Sequence, residues 1–173
     1  MQSEEKYMVK EVVDITEIDY SEYGILYNMS GEGKDTGNTN RSSGNGWEDV
    51  DTSIPVLDTL GTLGYTYSEG QPFLTVEMEK HSHTQEAQIP IEQPICLLIA
   101  KACKGAPRAE DTVAVRIRPG YIFVLHRETW HSASHGTKHA GRYHWMAQVY
   151  KNEPTVWKEI QGGAVYVKDN ETE

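Results

Sequence analysis

The chain has 173 residues, which is enough for one domain with a full hydrophobic core, and 38% of them are apolar. Its 26 acidic and 16 basic residues give a formal net charge of −10, which argues against nucleic acid or an anionic membrane surface as a partner. With two cysteines, a charged amino terminus and no apolar run of membrane-spanning length, the sequence predicts a cytoplasmic protein without a disulfide framework.

The first part of the chain shows weak and irregular patterns. Residues 6–28 mix short apolar clusters with acidic side chains, and they predict either a strand or a short helix on the outside of the domain. Residues 29–46 are rich in Gly, Ser, Asn and Thr, which predicts a loop. That loop is either a linker or a lid over a pocket, because long loops in compact domains often bind ligands.

From Gln71 onward the pattern becomes that of short strands separated by turns. The predicted strands cover residues 73–79, 94–101, 112–118, 121–126, 142–151, 155–160 and 164–168. Gly162-Gly163 predicts a hairpin turn between the last two strands. Because no long amphipathic helix follows Gln71, the sequence favours an all-β sandwich or barrel.

A histidine-rich segment, KHSHTQE at residues 80–86, directly follows the first of these strands. Alternate residues of an extended chain share a face, so His81 and His83 point the same way and can bind one divalent ion. Glu86 can add an oxygen ligand. The alternative is two exposed histidines in a turn.

A second segment, RPGYIFVLHRETWH at residues 118–131, combines a Pro-Gly turn, a strand and a polar, aromatic end. His126 has the strand parity of the apolar residues before it, which is also typical of a histidine that simply packs in the core. Trp130 can wall a pocket beside His131 or can be a packing residue.

Together these two segments resemble the two-motif layout of cupins. Within that superfamily they are similar to the ureidoglycolate lyases, whose second segment reads approximately Arg-Pro-Gly-x5-His-Arg-Gly-Thr-Trp-His and aligns with residues 118–131 without a gap. Their first segment, approximately Glu-Arg-His-Pro-x3-Gln-Ala-Phe-Ile-Pro, aligns with residues 79–90, and the similarity covers roughly residues 36–150. The chain departs from those lyases at Glu86, where they have Gln, and at His83, where they have an apolar residue.

The resemblance implies an all-β cupin double-stranded β-helix, a jelly-roll barrel with few short helices. We expect a single domain over residues 1–173. It comprises amino-terminal strands and the Gly/Asn/Ser-rich loop (1–70), a core barrel that holds the site (71–150) and carboxy-terminal strands (151–173). The resemblance also implies a homodimer.

The resemblance further implies a lyase that eliminates urea from ureidoglycolate and releases glyoxylate. His126 and His131 are then the acid–base candidates, because histidine exchanges protons near neutral pH. Arg127 or Lys80 would bind the substrate carboxylate.

The expected substrate is a small anionic or polar molecule. Trp130, Asn40, Arg118 and Tyr121 are the substrate-binding candidates, although an arginine beside a Pro-Gly turn is often a surface residue. A divalent metal, Zn, Mn, Ni or Fe, would be held by His81, His83, Glu86 and His131. Two alternatives stay open: a metal-dependent cupin that isomerises or epimerises a sugar, and a non-catalytic cupin that binds a small ligand.

Overall fold

In the computed structural model, which describes residues 7–152 and 155–171, almost all regular structure is β, as predicted. The strands are β1 (Met8–Glu11), β2 (Val13–Asp14), β3 (Gly24–Asn28), β4 (Thr39–Gly44), β5 (Trp47–Thr52), β6 (Thr62–Ser68), β7 (Phe73–Thr75), β8 (Glu77–Lys80), β9 (Glu86–Ile89), β10 (Ile95–Ala100), β11 (Val113–Ile117), β12 (Tyr121–Leu125), β13 (Trp130–His131), β14 (His135–Gly136), β15 (Gly141–Ala147), β16 (Val156–Glu159) and β17 (Val165–Lys168). The helical elements of the described ranges are two 3₁₀ turns, Ile15–Glu17 and Ala109–Asp111, and none of these ranges contains a helix long and apolar enough to cross a membrane.

The strands form four sheets. The outer sheet has the order β1-β17-β7, and the central sheet has the order β16-β8-β13-β10-β11-β2, with β14 also paired to β10. The facing sheet has the order β3-β12-β9-β15-β6, and β4 and β5 form a separate hairpin. None of these sheets closes on itself within the described residues.

Strand β10, in the middle of the central sheet, is buried on both faces, which explains its continuous apolar sequence. All six residues of Ile95–Ala100 are buried, as expected for a strand covered on both sides. Alternate residues enter two different cores: Cys96, Leu98 and Ala100 lie in the core shared with the outer sheet, and Ile95, Leu97 and Ile99 lie in the core shared with the facing sheet. Strand parity therefore decides on which side of the central sheet each side chain lies.

Two sequence expectations about local structure are wrong. The predicted loop at residues 29–46 ends early, because Thr39–Gly44 pairs with Trp47–Thr52 across a two-residue Asn45-Gly46 turn. Asn-Gly is a strong signal for such a turn, and Gly46 has the required positive φ of 83°.

The predicted hairpin at Gly162-Gly163 is also wrong, because its two strands join different sheets. Strand β16 pairs with β8 in the central sheet, whereas β17 pairs with β1 and β7 in the outer sheet. The strand predicted at 73–79 is likewise divided into β7 and β8, which lie in those same two sheets. At both places the chain crosses from one sheet to the other.

A buried ion pair joins the carboxy-terminal segment to the central sheet. Arg116 on β11 donates from Nε and Nη2 to the two carboxylate oxygens of Asp169, at 3.0 and 2.8 Å, and both side chains are at most 6% exposed. Arg118, two residues later, is 42% exposed and pairs with Asp14 and Glu171.

Replacement of Arg116 by Met should therefore lower the free energy of unfolding by about 3–5 kcal/mol, because it leaves Asp169 buried without its cation. The matched change Arg118→Met should cost about 1 kcal/mol or less, because solvent screens the half-exposed Arg118 and Glu171, and Asp14 keeps two hydrogen bonds from Thr16. Urea unfolding of both variants measures the difference, and equal losses would contradict this interpretation.

Candidate functional site

A group of acidic and histidine side chains lies between the central and facing sheets. Glu79 on β8 is directly opposite His131 on β13 in the antiparallel register, so their side chains lie on the same face. His81 follows two residues after Glu79 and keeps its parity, and Glu86 begins β9 on the facing sheet. The two sheets thus bring these four side chains to one place.

The distances within this group are short. Nε2 of His81 lies 2.8 Å from Oε2 of Glu86 and 4.0 Å from Oε2 of Glu79. Nε2 of His131 lies 3.5 Å from Oε1 of Glu79 and 3.7 Å from Oε2 of Glu86. One ligand atom each from Glu79, His81 and His131 lies within 4.8 Å of the others, a spacing that one metal ion can bridge.

The orientation of the imidazoles also fits a metal. The Nε2 atoms of His81 and His131 are buried and have no aligned hydrogen-bond partner, although carboxylate oxygens are close. Buried polar atoms without a partner are costly, and a cation bound among them would satisfy both nitrogens. Imidazole nitrogens and carboxylate oxygens are the ligands preferred by first-row divalent ions, so these residues fit such an ion.

Neighbouring groups orient two of the side chains. Nδ1 of His131 donates to the carbonyl oxygen of Thr129 at 3.2 Å, since a carbonyl can only accept, and this leaves Nε2 for the cavity. Oε1 of Glu86 accepts from Nε2 of Gln88 at 2.7 Å, and Oε1 of Gln88 accepts from the Ser134 hydroxyl at 2.8 Å. Outer partners of this kind are typical of metal-binding histidines and carboxylates.

The pKa values in the group move in opposite directions. Burial opposes a charged imidazole at His131, but the carboxylates of Glu79 and Glu86 outweigh burial and raise its pKa to about 10. Burial opposes ionisation of Glu86, but the imidazoles of His131 and His81 outweigh burial and lower its pKa to about 2. Without a metal, positive charge on the His131 imidazole therefore offsets the buried carboxylates.

Glu79, His81 and Glu86 line one end of a cavity of about 260 Å³, and Nε2 of His131 lies 3.5 Å from Glu79 at that end. Its other walls combine aromatic and aliphatic side chains, among them Tyr143, Trp145 and Tyr150, with polar ones such as Thr84 and Gln148. No lysine or arginine is among the described residues that line it. The cavity therefore combines a compact anionic end with a wall of mixed polar and aromatic character.

The structure brings together His81, Glu86 and His131 from the predicted metal set. His83 lies on the cavity wall with its ring centroid 6.1 Å from that of His81, and its Nε2 donates to the carbonyl of Gln148 at 3.0 Å. Glu79 joins the group, and the sequence analysis missed it. The sequence pattern that identifies Glu79 is its alternation with His81 and His83, because alternate residues of an extended chain share a face.

Three predicted catalytic residues lie away from the cavity, whereas His131 contacts Glu79 and Glu86 at its anionic end. Nε2 of His126 donates to the carbonyl of Ser21 at 3.1 Å. Arg127 forms a bidentate pair with Asp58, with both distances 2.7 Å. Both residues follow the end of β12, where the alternation that governs the strand no longer applies.

Lys80, the third of these residues, has strand parity opposite to that of Glu79. Its ammonium group pairs with Glu128 and lies 5.1 Å from the ring centroid of Trp130. Trp130 is fully buried in the core between the central and outer sheets, on the opposite face from His131. Neither Lys80 nor Trp130 therefore lines the cavity.

The other predicted substrate-binding residues are also elsewhere. Asn40 donates to Asp51 within the β4–β5 hairpin, at 2.9 Å. Arg118 is held by its two carboxylate partners, as described above. The Tyr121 hydroxyl accepts from the backbone N–H of Lys34 at 3.1 Å. The structure does not bring these three residues to the cavity.

Comparison of the chain with protein-family models and with curated protein sequences found no match. The side chains of the cavity are therefore the basis for a functional proposal.

If the group binds a divalent ion, Glu79→Gln should weaken binding of Zn²⁺ or Mn²⁺ by about 10–100-fold or more, since it removes one charged ligand oxygen. Glu77→Gln is the matched control, because Glu77 is exposed on the same strand. Isothermal titration calorimetry with metal-free protein measures both affinities. Equal affinities in the two variants would remove Glu79 from the ligand set.

The pKa shifts predict how the stability of metal-free protein depends on pH. Because the pKa of His131 is raised, its charged imidazole stabilises the fold fully below pH 6.5, the ordinary pKa of histidine. This contribution disappears as pH rises through about 10. The lowered pKa of Glu86 stabilises the fold above 4.5, and this contribution disappears as pH falls through about 2. Unfolding free energy should therefore decrease between pH 6.5 and 10, and His131→Asn should flatten that decrease. An unchanged slope in the variant would contradict the pairing.

Proposed function

We propose that the cavity is a divalent-metal site at which the protein carries out proton-transfer chemistry on a small, uncharged, hydroxylated molecule, as a sugar isomerase or epimerase does. One observation supports this proposal most directly. Two buried imidazole nitrogens, which have no aligned hydrogen bond, lie close to two carboxylates. That ligand set suits Mn²⁺, Fe²⁺, Ni²⁺ or Zn²⁺.

We also propose that the central and facing sheets belong to a cupin-type jelly roll. Support comes from the two sheets that face each other across a shared core, from the site between them, and from the origin of its ligands in the two segments that resemble cupin motifs. His81 and Glu86 come from the first segment, and His131 comes from the second.

The charge of the cavity is the reason to favour an uncharged substrate. Glu79 and Glu86 carry two negative charges, which a divalent ion would neutralise. No described lysine or arginine lines the cavity to bind a further anionic group. A substrate carboxylate would therefore add a net negative charge in a buried place, which is costly.

Two side chains can move protons in this cavity. Oε2 of Glu86 lies 2.8 Å from Nε2 of His81, and it would become free to accept a substrate proton once a bound ion takes up the imidazole nitrogens. Burial raises the pKa of the Tyr143 phenol, which therefore stays protonated, and its oxygen accepts from the Ser134 N–H at 3.3 Å. Its own proton is thus available to a molecule in the cavity.

A bound divalent ion would supply Lewis acidity to a substrate oxygen. The aromatic wall formed by Trp145 and Tyr150 would exclude water and limit the substrate to metabolite size, in keeping with the small volume.

Ureidoglycolate elimination is the second candidate, favoured by the ungapped match of residues 118–131 to the lyase segment. In that reaction the substrate hydroxyl loses a proton, the carbon–nitrogen bond breaks, and the leaving nitrogen gains a proton to give urea and glyoxylate. Glu86 and Tyr143 could exchange those protons. Because Arg127 and Lys80 lie outside the cavity, the carboxylate of ureidoglycolate would lack the cation that was expected to bind it.

A substrate panel separates the two candidates. Purified protein, stripped of metal and reloaded separately with Mn²⁺, Fe²⁺, Ni²⁺ or Zn²⁺, is incubated with neutral aldoses and ketoses or with ureidoglycolate. We expect metal-dependent interconversion of a sugar, detected by NMR, and no urea release. Metal-independent urea release would favour the lyase, and tight sugar binding without conversion would favour a binding protein.

Tyr143→Phe should lower kcat by about 100-fold or more, because it removes the proposed proton donor, while metal content stays unchanged. Tyr150→Phe is the matched control, since it removes a hydroxyl from another residue of the cavity wall. Full activity of Tyr143→Phe would show that Tyr143 is not the proton donor.

A further inference from the structure

A second cavity, of about 410 Å³, lies where the loop after β10 meets the segment that follows β16. The loop begins after Ala100, the last residue of β10, and its other end is fixed by two backbone hydrogen bonds of 2.8 Å. In these, Ala109 donates to Gln161, and Gln161 donates to Pro107. Among the described residues, this cavity shares no lining residue with the cavity of the candidate metal site.

The charge of this second cavity is opposite to that of the whole chain. Three basic side chains and one acidic side chain line it, which are Lys101, Lys104, Arg108 and Asp111. The lining therefore has two more positive charges than negative ones, whereas the chain has a formal net charge of −10. Local positive charge of this kind attracts small anions.

The protein engages these cations only weakly. Lys101 pairs with Glu22, Arg108 pairs with Glu110, and all four side chains are more than half exposed. Exposed pairs add little to stability, so an anion can take the place of either carboxylate at low cost. Lys104 forms no ion pair within the part of the chain that the structure describes.

A buried phenol adds a neutral donor to these cations. Tyr23 is 7% exposed and lines the cavity, and its hydroxyl makes no hydrogen bond with the described residues. Its ring packs in the core between the central and facing sheets, and its carbonyl oxygen accepts from the N–H of His126 and the hydroxyl of Thr129. Burial raises the pKa of the phenol, and the charges of Lys101 and Asp111, which line the same cavity, also act on that pKa. The phenol therefore stays protonated and can donate to an anion beside these charges.

We propose that this cavity binds a small phosphorylated and hydroxylated molecule, with its phosphate among the basic side chains and the Tyr23 hydroxyl. A phosphate monoester carries about two negative charges and three acceptor oxygens, which match the excess charge of the lining and its several donors. A carboxylate carries a single charge and would leave part of that excess uncompensated. The carboxylate of Asp111 and the amide of Gln161 offer partners for hydroxyl groups on the rest of the ligand.

The inference is independent of the proposed function, because the described residues of this cavity include none of the candidate metal ligands. Metal binding could therefore fail while the phosphate site stands, and the reverse also holds.

Isothermal titration calorimetry of the metal-free full chain gives the first test, with glucose 6-phosphate as the phosphorylated probe. Gluconate, which has a carboxylate and no phosphate, and glucose, which has no charge, are the matched ligands. We expect glucose 6-phosphate to bind about tenfold or more tightly than gluconate, because it carries a second charge, and we expect no binding of glucose. No binding of glucose 6-phosphate, or equal affinity for gluconate, would overturn the proposal.

Tyr23→Phe and Lys104→Gln should each weaken this binding about tenfold, because each removes one donor to the phosphate. Lys158→Gln is the matched control, since Lys158 is an exposed lysine of β16 that does not line the cavity. Glu79→Gln, at the candidate metal site, should also leave the affinity for glucose 6-phosphate unchanged. If neither Tyr23→Phe nor Lys104→Gln weakens binding, the proposal is wrong.

Cys103 provides a reporter at the cavity itself. It is exposed and lines the cavity, whereas Cys96 is buried, so iodoacetamide should alkylate Cys103 in the native protein and leave Cys96 unmodified. Glucose 6-phosphate at about ten times its dissociation constant should slow this alkylation roughly tenfold, because few cavities then remain empty. Mass spectrometry measures the rate, and Cys103→Ser is the control that should take up no label. Binding of glucose 6-phosphate that leaves the alkylation rate unchanged would place the ligand elsewhere and contradict the proposal.

Discussion

Two imidazoles and two carboxylates are buried between the central and facing sheets, with nitrogen–oxygen distances from 2.8 to 4.0 Å. Positive charge stabilises such buried carboxylates, and either a proton on His131 or a metal ion can supply that charge. The raised pKa of His131 and the lowered pKa of Glu86 both result from this attraction between imidazole and carboxylate. Exchange of protons for a metal would release protons, so binding should strengthen as pH rises.

Strand parity allows the charged group to coexist with an apolar core. On β13, Trp130 enters the core toward the outer sheet, and His131 contacts the buried carboxylates of Glu79 and Glu86 on the opposite face. On β8, Met78 lies in that same outer core, and Glu79 lies in the cavity. The outer sheet therefore contributes to function indirectly, because it buries the side of the central sheet that faces away from the site.

Much of the fold and part of the site follow from local sequence patterns. The all-β class is confirmed, since alternation and turn residues report directly on short strands. His81 and Glu86 were predicted from their spacing, and Glu79 was accessible by the same alternation. His126, Arg127 and Lys80 were placed by analogy with a motif, and their positions depend on tertiary partners such as Asp58 and Glu128 that no local pattern reveals. The separation of β16 from β17 likewise depends on which sheet each strand joins.

The most direct measurement is anomalous X-ray diffraction from crystals of the protein grown with Zn²⁺ or Mn²⁺. The metal-site hypothesis predicts an anomalous peak in the cavity, about 2.0–2.3 Å from Nε2 of His81, Nε2 of His131 and a carboxylate oxygen of Glu79. An anomalous peak elsewhere, or an ordered cavity in which these side chains hold only water at saturating metal, would contradict it.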